Sequence, residues 1–168
     1  MLVAVISDTH LPRGARRLPE ACLHAVRRAD LIVHGGDVSA ASVLEELRTL
    51  GPPVQAVYGN ADEPALRETL PKELVLELER VKLGVVHIPG PAAGREERLA
   101  HRFPGCDAVV FGHTHLPTVE RHGDLWVLNP GSPTERRRGP FHSFLLLSIR
   151  GRRIRPELVR LTTSGLSP

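Results

Sequence analysis

The stretch Leu2-Val3-Ala4-Val5-Ile6-Ser7-Asp8-Thr9-His10 decides the reading of this chain. Its first five residues are apolar and rich in β-branched side chains, which reads as a buried strand. The strand runs out into Asp8 and His10. Alternation along an extended chain puts residues i and i+2 on one face, so the pair offers two potential metal ligands side by side. An isolated Asp-x-His is more often a cap or a turn, as with any short motif. Its meaning therefore depends on how the later strands end.

They end in the same way. Leu31-Ile32-Val33 is a short buried strand that stops at His34-Gly35-Gly36-Asp37, and residues 54–58 form a third that stops at Gly59-Asn60-Ala61-Asp62. Between them lie two helical patterns, residues 18–29 and 40–50. The second has Val43, Leu44, Leu47 and Leu50 on one face and Gly51-Pro52-Pro53 as its stop. Strand-helix-strand-helix-strand predicts right-handed crossovers and a parallel sheet. Ligands of open α/β sheets gather beyond the carboxyl ends of the strands, where Asp8, His10, Asp37 and Asn60 are expected to meet.

A second cycle follows. Residues 73–79 alternate, with Leu74, Leu76 and Leu78 set against Glu73, Glu77 and Glu79, and residues 81–88 form a strand that ends at His87. Residues 94–102 read as a short charged helix. The strand at 108–111 stops at Gly112-His113-Thr114-His115. Short strands near 118–121 and 125–128 precede Asn129-Pro130-Gly131-Ser132, and residues 141–149 and 154–161 read as a closing antiparallel hairpin. With no repeat and no linker, the expectation is a single α/β domain over residues 1–168.

Composition narrows the function class. The 168 residues, 41% hydrophobic and 24% charged, are ordinary for a globular protein, and no run approaches the roughly 18 apolar residues of a membrane helix. The chain opens as a strand with no leader pattern, so a cytoplasmic location and no membrane partner are expected. Cys22 and Cys106 lack CxxC spacing, and Cys22 reads as a small buried hydrophobe. The net charge of +3 is carried almost wholly by arginine, lysine occurring only at 72 and 82. Few aromatics interleave with the arginines, so a base-stacking surface is not indicated, although nucleic acid stays open as a partner.

Asp8, His10, Asp37, Asn60, His87, His113 and His115 together are seven oxygen and nitrogen donors without a thiolate. Such a set suits manganese, iron, zinc, cobalt or nickel. Seven donors exceed one ion's usual demand and suit two if a carboxylate such as Asp37 bridges them. Two-metal sites handle in-line attack at phosphorus.

The series Asp8-x-His10, Gly36-Asp37, Gly59-Asn60-x-Asp62, His87, Gly112-His113-Thr114-His115 resembles the calcineurin-like metallophosphoesterases, and more narrowly their small bacterial and archaeal single-domain phosphodiesterase branch. His34-Gly35-Gly36-Asp37 and Asn129-Pro130-Gly131-Ser132 are similar to that branch too. The resemblance implies two mixed β-sheets packed as a sandwich and flanked by helices. It implies two divalent ions, manganese foremost, one taking Asp8, His10, Asp37 and His115 and the other Asp37, Asn60, His87 and His113. Asp37, Asn60 and His113 are the residues it assigns to catalysis: a bridging hydroxide attacks phosphorus in line, and the metals and the Asn60 amide stabilise the phosphoryl oxygens.

Two positions depart from the family pattern. The residue after the motif Asn is often a histidine that protonates the leaving group, and here it is Ala61, which cannot. The fourth motif often reads His-Gly-His, and here it is His87-Ile88-Pro89. Diesters and good leaving groups are therefore expected over alkyl monoesters. His34 and Asp62 are read as supports of the ligands, Asp62 by orienting a histidine or else as a plain surface residue; Asn129 and Ser132 as support or substrate contacts; the run Glu135-Arg136-Arg137-Arg138 as a solvated turn, with Arg138 as a grip for a further phosphate the alternative. The expected partner is a small phosphoester, and the expected state a monomer or a homodimer, for which the strand with Leu74–Leu78 alternation is one candidate surface. A nuclease or nucleotide phosphatase is a further reading. So is a non-catalytic binding scaffold of the same fold, since the retromer's small subunit also lacks the histidine after Asn.

Overall fold

A computed structural model of the chain describes residues 1–14 and 16–162. In chain order its elements are β1 (Leu2–Ile6), α1 (Glu20–Arg27), β2 (Leu31–His34), α2 (Ala41–Arg48), β3 (Val54–Ala56), α3 (Pro64–Thr69), β4 (Glu73–Leu78), β5 (Val81–Val86), α4 (Arg95–Arg102), β6 (Ala108–Phe111), β7 (Thr118–His122), β8 (Leu125–Asn129), β9 (His142–Arg150) and β10 (Arg153–Leu161).

The strands form two mixed five-stranded sheets, ordered β10-β9-β1-β2-β3 and β4-β5-β6-β8-β7. In the first, β1, β2 and β3 run parallel, as crossovers through α1 and α2 require, and the hairpin β9-β10 lies antiparallel against β1. In the second, β5, β6 and β8 run parallel between two antiparallel edge strands. Both parallel groups therefore deliver their carboxyl ends, and the loops beyond them, to where ligands gather.

The sheets face each other across one apolar layer built from Val3, Val5, Val33, Leu145 and Leu147 on one side and Leu83, Val85, Val110 and Leu128 on the other. Outside the first sheet, Ala4, Ile6 and Ile32 pack on Cys22 and Val26 of α1 and Leu47 of α2. Outside the second, Val86, Val109 and Phe111 pack on Leu99 of α4 and Phe103. The result is helix, sheet, sheet, helix. β1 is buried on both faces, which is why its sequence reads as an unbroken apolar run rather than an alternation.

Three readings are corrected. α3 is absent from the periodicity because six residues cover too few turns to show a stripe, although Pro64 at its first turn is a start signal. Leu74, Leu76 and Leu78 pack against the inter-sheet layer, so this alternation belongs to the core. Asp8 and His10 do not continue the alternation of β1, which ends at Ile6; both sit at positive φ, 55° and 47°. Their amides donate to the carbonyls of Gly36 and Asp37 in the loop after β2, at 2.9 and 3.0 Å. The two loops are thus stitched together beyond the sheet.

Candidate metal centre

Five of the seven expected ligands have left-handed backbone: Asp8, His10, Asp37, His113 and His115. For residues other than glycine this conformation is uncommon, and it persists where surrounding contacts over-determine it, as at functional sites. Neighbouring glycines supply the room. A Cβ at Gly59 would collide with Asp37 Oδ1, and one at Gly112 with Ser7 Oγ and Asp8 Oδ2. The Gly-Asn and Gly-His pairs of the sequence thus have a steric origin: glycine lets each loop close onto a carboxylate of another.

Five donors are buried: Asp8, His10, Asp37, His87 and His115 are exposed by only 0, 7, 1, 2 and 0%. Asp37 Oδ2 lies 3.6 Å from His10 Nε2 and 3.3 Å from His87 Nε2. His115 Nε2 is 3.3 Å from Asp8 Oδ1 and 3.3 Å from His10 Nε2. Two compact groups result, Asp8-His10-His115 and Asp8-Asp37-His87, with Asp8 common to both. Asn60 and His113 are exposed. Asn60 Oδ1 stands 3.2 Å from His87 Nε2 and 2.7 Å from His113 Nδ1, which carries the pair to the edge of the same cluster.

These donors fit a divalent cation. Ligands about 2.1 Å from one ion stand roughly 3.0–3.4 Å apart in octahedral or tetrahedral geometry, which is close to the separations above. The facing Nε2 atoms of His10 and His115 lie 3.3 Å apart, a separation at which one cation can engage both. The far ring nitrogens are already committed. His87 Nδ1 donates to the Gly35 carbonyl at 2.8 Å and His115 Nδ1 to the Glu135 carbonyl, leaving each Nε2 for the cluster.

The electrostatics favour an ionised Asp37. Burial pushes Asp37 up, but hydrogen bonding and charge from His87, the Ala61 amide at 2.7 Å and His10 outweigh it and hold the carboxyl at about 2. Burial pulls His87 and His115 down, yet the bond from His87 to Asp37 and that from His115 to Asp8 raise both above the ordinary value. His10 and His113 stay below it, chiefly through burial.

The supporting residues hold backbone. Asp62 is buried, and its carboxylate accepts from the amides of Ser39 at 2.6 Å and Gly59 at 2.7 Å, not from a histidine. It ties the loop after β3 to the loop after β2. His34, fully buried, accepts from the Gly36 amide at Nδ1 and so donates from Nε2 to Thr9 Oγ1 at 3.1 Å; burial drops it to about 4. Asn129 Nδ2 donates to the Gly112 carbonyl and to Thr114 Oγ1, fixing the Gly-His-Thr-His loop. Ser132 Oγ donates to the Asp8 carbonyl at 2.7 Å. Both are fully or almost fully buried. Arg138 is exposed and makes no ion pair among the described residues.

Sequence reasoning missed Glu135. Its carbonyl accepts from His115, its Oε2 lies 3.8 Å from His10 Nε2, and its carboxylate draws in Arg13, Arg16 and Arg137 at 3.2, 3.4 and 3.5 Å. Burial pulls this carboxyl up, but the charges of His10 and the three arginines hold it below its usual range. The signal in sequence was only its place next to three arginines, which reads as a solvated turn. Arg13 and Arg16 reach it from a loop more than a hundred residues earlier.

The sequence of residues 1–152 matches the calcineurin-like phosphoesterase superfamily domain, and the chain belongs to that family. Among individual relatives, a probable metallophosphoesterase of Methanothermobacter thermautotrophicus is 39% identical over 163 residues, covering 95% of this chain and 92% of its own. Vps29 of Entamoeba histolytica, solved in complex with zinc, superimposes with a TM-score of 0.77 at 26% identity over 95% of this chain and 99% of its own. YfcE, a phosphoesterase from E. coli, does so with a TM-score of 0.67 at 27% identity over 88% of both chains.

Proposed function

We propose that the chain is a phosphodiesterase whose hydrolytic site holds two divalent ions, manganese foremost, on Asp8, His10, Asp37, Asn60, His87, His113 and His115. The observation that carries this is the convergence of five buried oxygen and nitrogen donors at ligand spacing, with the far nitrogens of His87 and His115 already tied to backbone. Bound ions supply Lewis acidity and a water nucleophile that is ionised near neutral pH.

The chain's own residues do the rest. Asp37, its carboxyl held at about 2, lies against one histidine of each group, His10 and His87, and is with Asp8, which belongs to both groups, a candidate to be shared. Asn60 presents its amide at the exposed edge, where it can donate to a phosphoryl oxygen as charge develops there. Ala61 lends only its backbone amide, to Asp37, so no side chain at that position protonates a departing alkoxide. Lacking a general acid, typically worth about 10²–10⁴-fold, the site favours esters whose leaving group departs as a stable anion.

The test is elemental analysis of the purified protein joined to hydrolysis of bis-p-nitrophenyl phosphate with added manganese or nickel. Two ions per chain and diester turnover are the expected result. A fully metallated protein that cleaves no diester, monoester or cyclic nucleotide overturns the reading and favours a metal-binding scaffold. That second reading is supported by the likeness to Vps29 and by the small residue at Ala61.

A further inference from the structure

Beside the exposed edge of the metal centre lies a cavity of about 190 Å³, lined by Tyr58, Gly59, Asn60, Val86, His87 and Ile88. Two of its walls, Asn60 and His87, belong to the ligand cluster, so the cavity opens directly onto the place where a phosphoryl group would sit. The remaining side-chain walls are apolar. Ile88 is 47% exposed, one of few large apolar side chains left open to solvent among the described residues, and it stands here next to the chain's single tyrosine.

Three cations complete the rim: Arg67, Lys72 and Arg102. Two have structural work. Arg67 donates to the carbonyls of Asp62 and Asn60, holding the Asn60 loop, and Arg102 pairs with Glu73 at 2.5 Å and donates to the Ile88 carbonyl at 3.2 Å. Lys72 has no ion pair or hydrogen bond among the described residues. Lys72 thus brings to the lining an exposed ammonium with no partner among the described residues.

We propose that this cavity is the subsite for one ester substituent, and that it selects a flat apolar ring bearing an anionic group within reach of Lys72. The proposal rests on the phosphodiesterase reading, because it places the phosphate on the metal centre and only the substituent in the cavity. At about 190 Å³ the space is below the roughly 300–1,000 Å³ of pockets that engulf a whole ligand, and it suits one ring. Ring and aliphatic walls attract a flat substituent through apolar contact, and the tyrosine through stacking or edge contact. Lys72 adds an attraction that is screened by salt, since it lies at the surface.

The experiment is a calorimetric titration of the manganese-loaded protein with methyl phosphate, phenyl phosphate and 4-carboxyphenyl phosphate, with diester turnover measured on the same preparation. Phenyl phosphate is expected to bind at least about tenfold more tightly than methyl phosphate, the scale on which a pocket of apolar walls discriminates. The carboxylate should add a few-fold at low salt, and Lys72→Ala should remove that addition. Ile88→Gly, a truncation at a half-exposed position, and Tyr58→Ala should each reduce the ring preference, with metal content and thermal unfolding reporting that the variants are folded and loaded. Equal affinity for methyl and phenyl phosphate, or a ring preference that survives in the Ile88→Gly, Tyr58→Ala double variant, overturns the subsite. Ring preference without turnover of any ester removes the hydrolase reading and leaves the subsite standing. Turnover without ring preference does the reverse, and failure of all three phosphates to bind overturns both.

Discussion

His115 and His113 are two residues apart, yet they belong to different environments. His115 is fully buried, with one ring nitrogen on the Glu135 carbonyl and the other facing Asp8 and His10. His113 is exposed, and its ring nitrogen has Asn60 for a partner, itself exposed. The same contrast divides the whole ligand set. Asp8, His10, Asp37, His87 and His115 are held by backbone and by one another inside the protein, whereas Asn60 and His113 hold each other at its surface. A donor that is fixed in advance costs little entropy when it takes an ion, so the buried group should bind first and tightly. The exposed pair is where an ion and a substrate can be exchanged.

The most severe way to break this contrast is Asp37→Ala, which removes the carboxylate lying between His10 and His87. Metal content should fall below two ions per chain, and diester turnover by more than about 10³-fold, the scale of losing a preorganised electrostatic stabiliser; elemental analysis and steady-state kinetics read both. Next in size, Ala61→His adds a proton donor at the exposed edge and should raise hydrolysis of alkyl phosphomonoesters by about 10²-fold while changing p-nitrophenyl diester turnover little, because only poor leaving groups need the proton. Glu135→Gln removes a negative charge 3.8 Å from His10 and should weaken manganese binding about tenfold by titration, as loss of a group that supports ligands does.

Stability sharpens the contrast further. His115→Ala leaves the Glu135 carbonyl without its donor in a buried place, while Asp8 keeps Ser7 Oγ and the His113 amide, and should cost about 1–3 kcal/mol in urea unfolding of the metal-free chain. His113→Ala, at the surface, should stay within about 0.5 kcal/mol. pH tests the buried His34. His34 is held neutral down to about pH 4 when folded, while the unfolded chain takes up the proton near 6.5. A histidine with a lowered folded value gives stability that is present in full above 6.5 and lost as pH falls from 6.5 towards 4. The urea midpoint of the metal-free chain should therefore drop across that window, and His34→Gln should flatten the slope; an unchanged slope would remove His34 as its cause.

Much of this was legible from residues alone because each motif carries its own stop. An apolar run that ends in Gly-Asp, Gly-Asn or Gly-His names a strand, a tight loop and a donor in five or six residues; the order of such units predicts a parallel sheet, and the second sheet came with the family resemblance. What was read wrongly was local in another sense. Strand alternation was extended through Asp8 and His10, where the backbone instead turns left-handed to bond with the loop after β2. Asp62 was assigned to a histidine and serves two backbone amides.

The sequence by itself determined which atoms are available for chemistry: seven nitrogen and oxygen donors, no thiolate, and an alanine where a proton donor often stands. Only the tertiary structure decided their ranking. It buried five of the donors and exposed two, brought Arg13 and Arg16 to Glu135 across more than a hundred residues, and opened an apolar cavity lined in part by Lys72. The reason is physical: a residue's identity sets what it can donate or accept, but burial and charge from sequence-distant neighbours set whether it does so tightly, weakly or not at all.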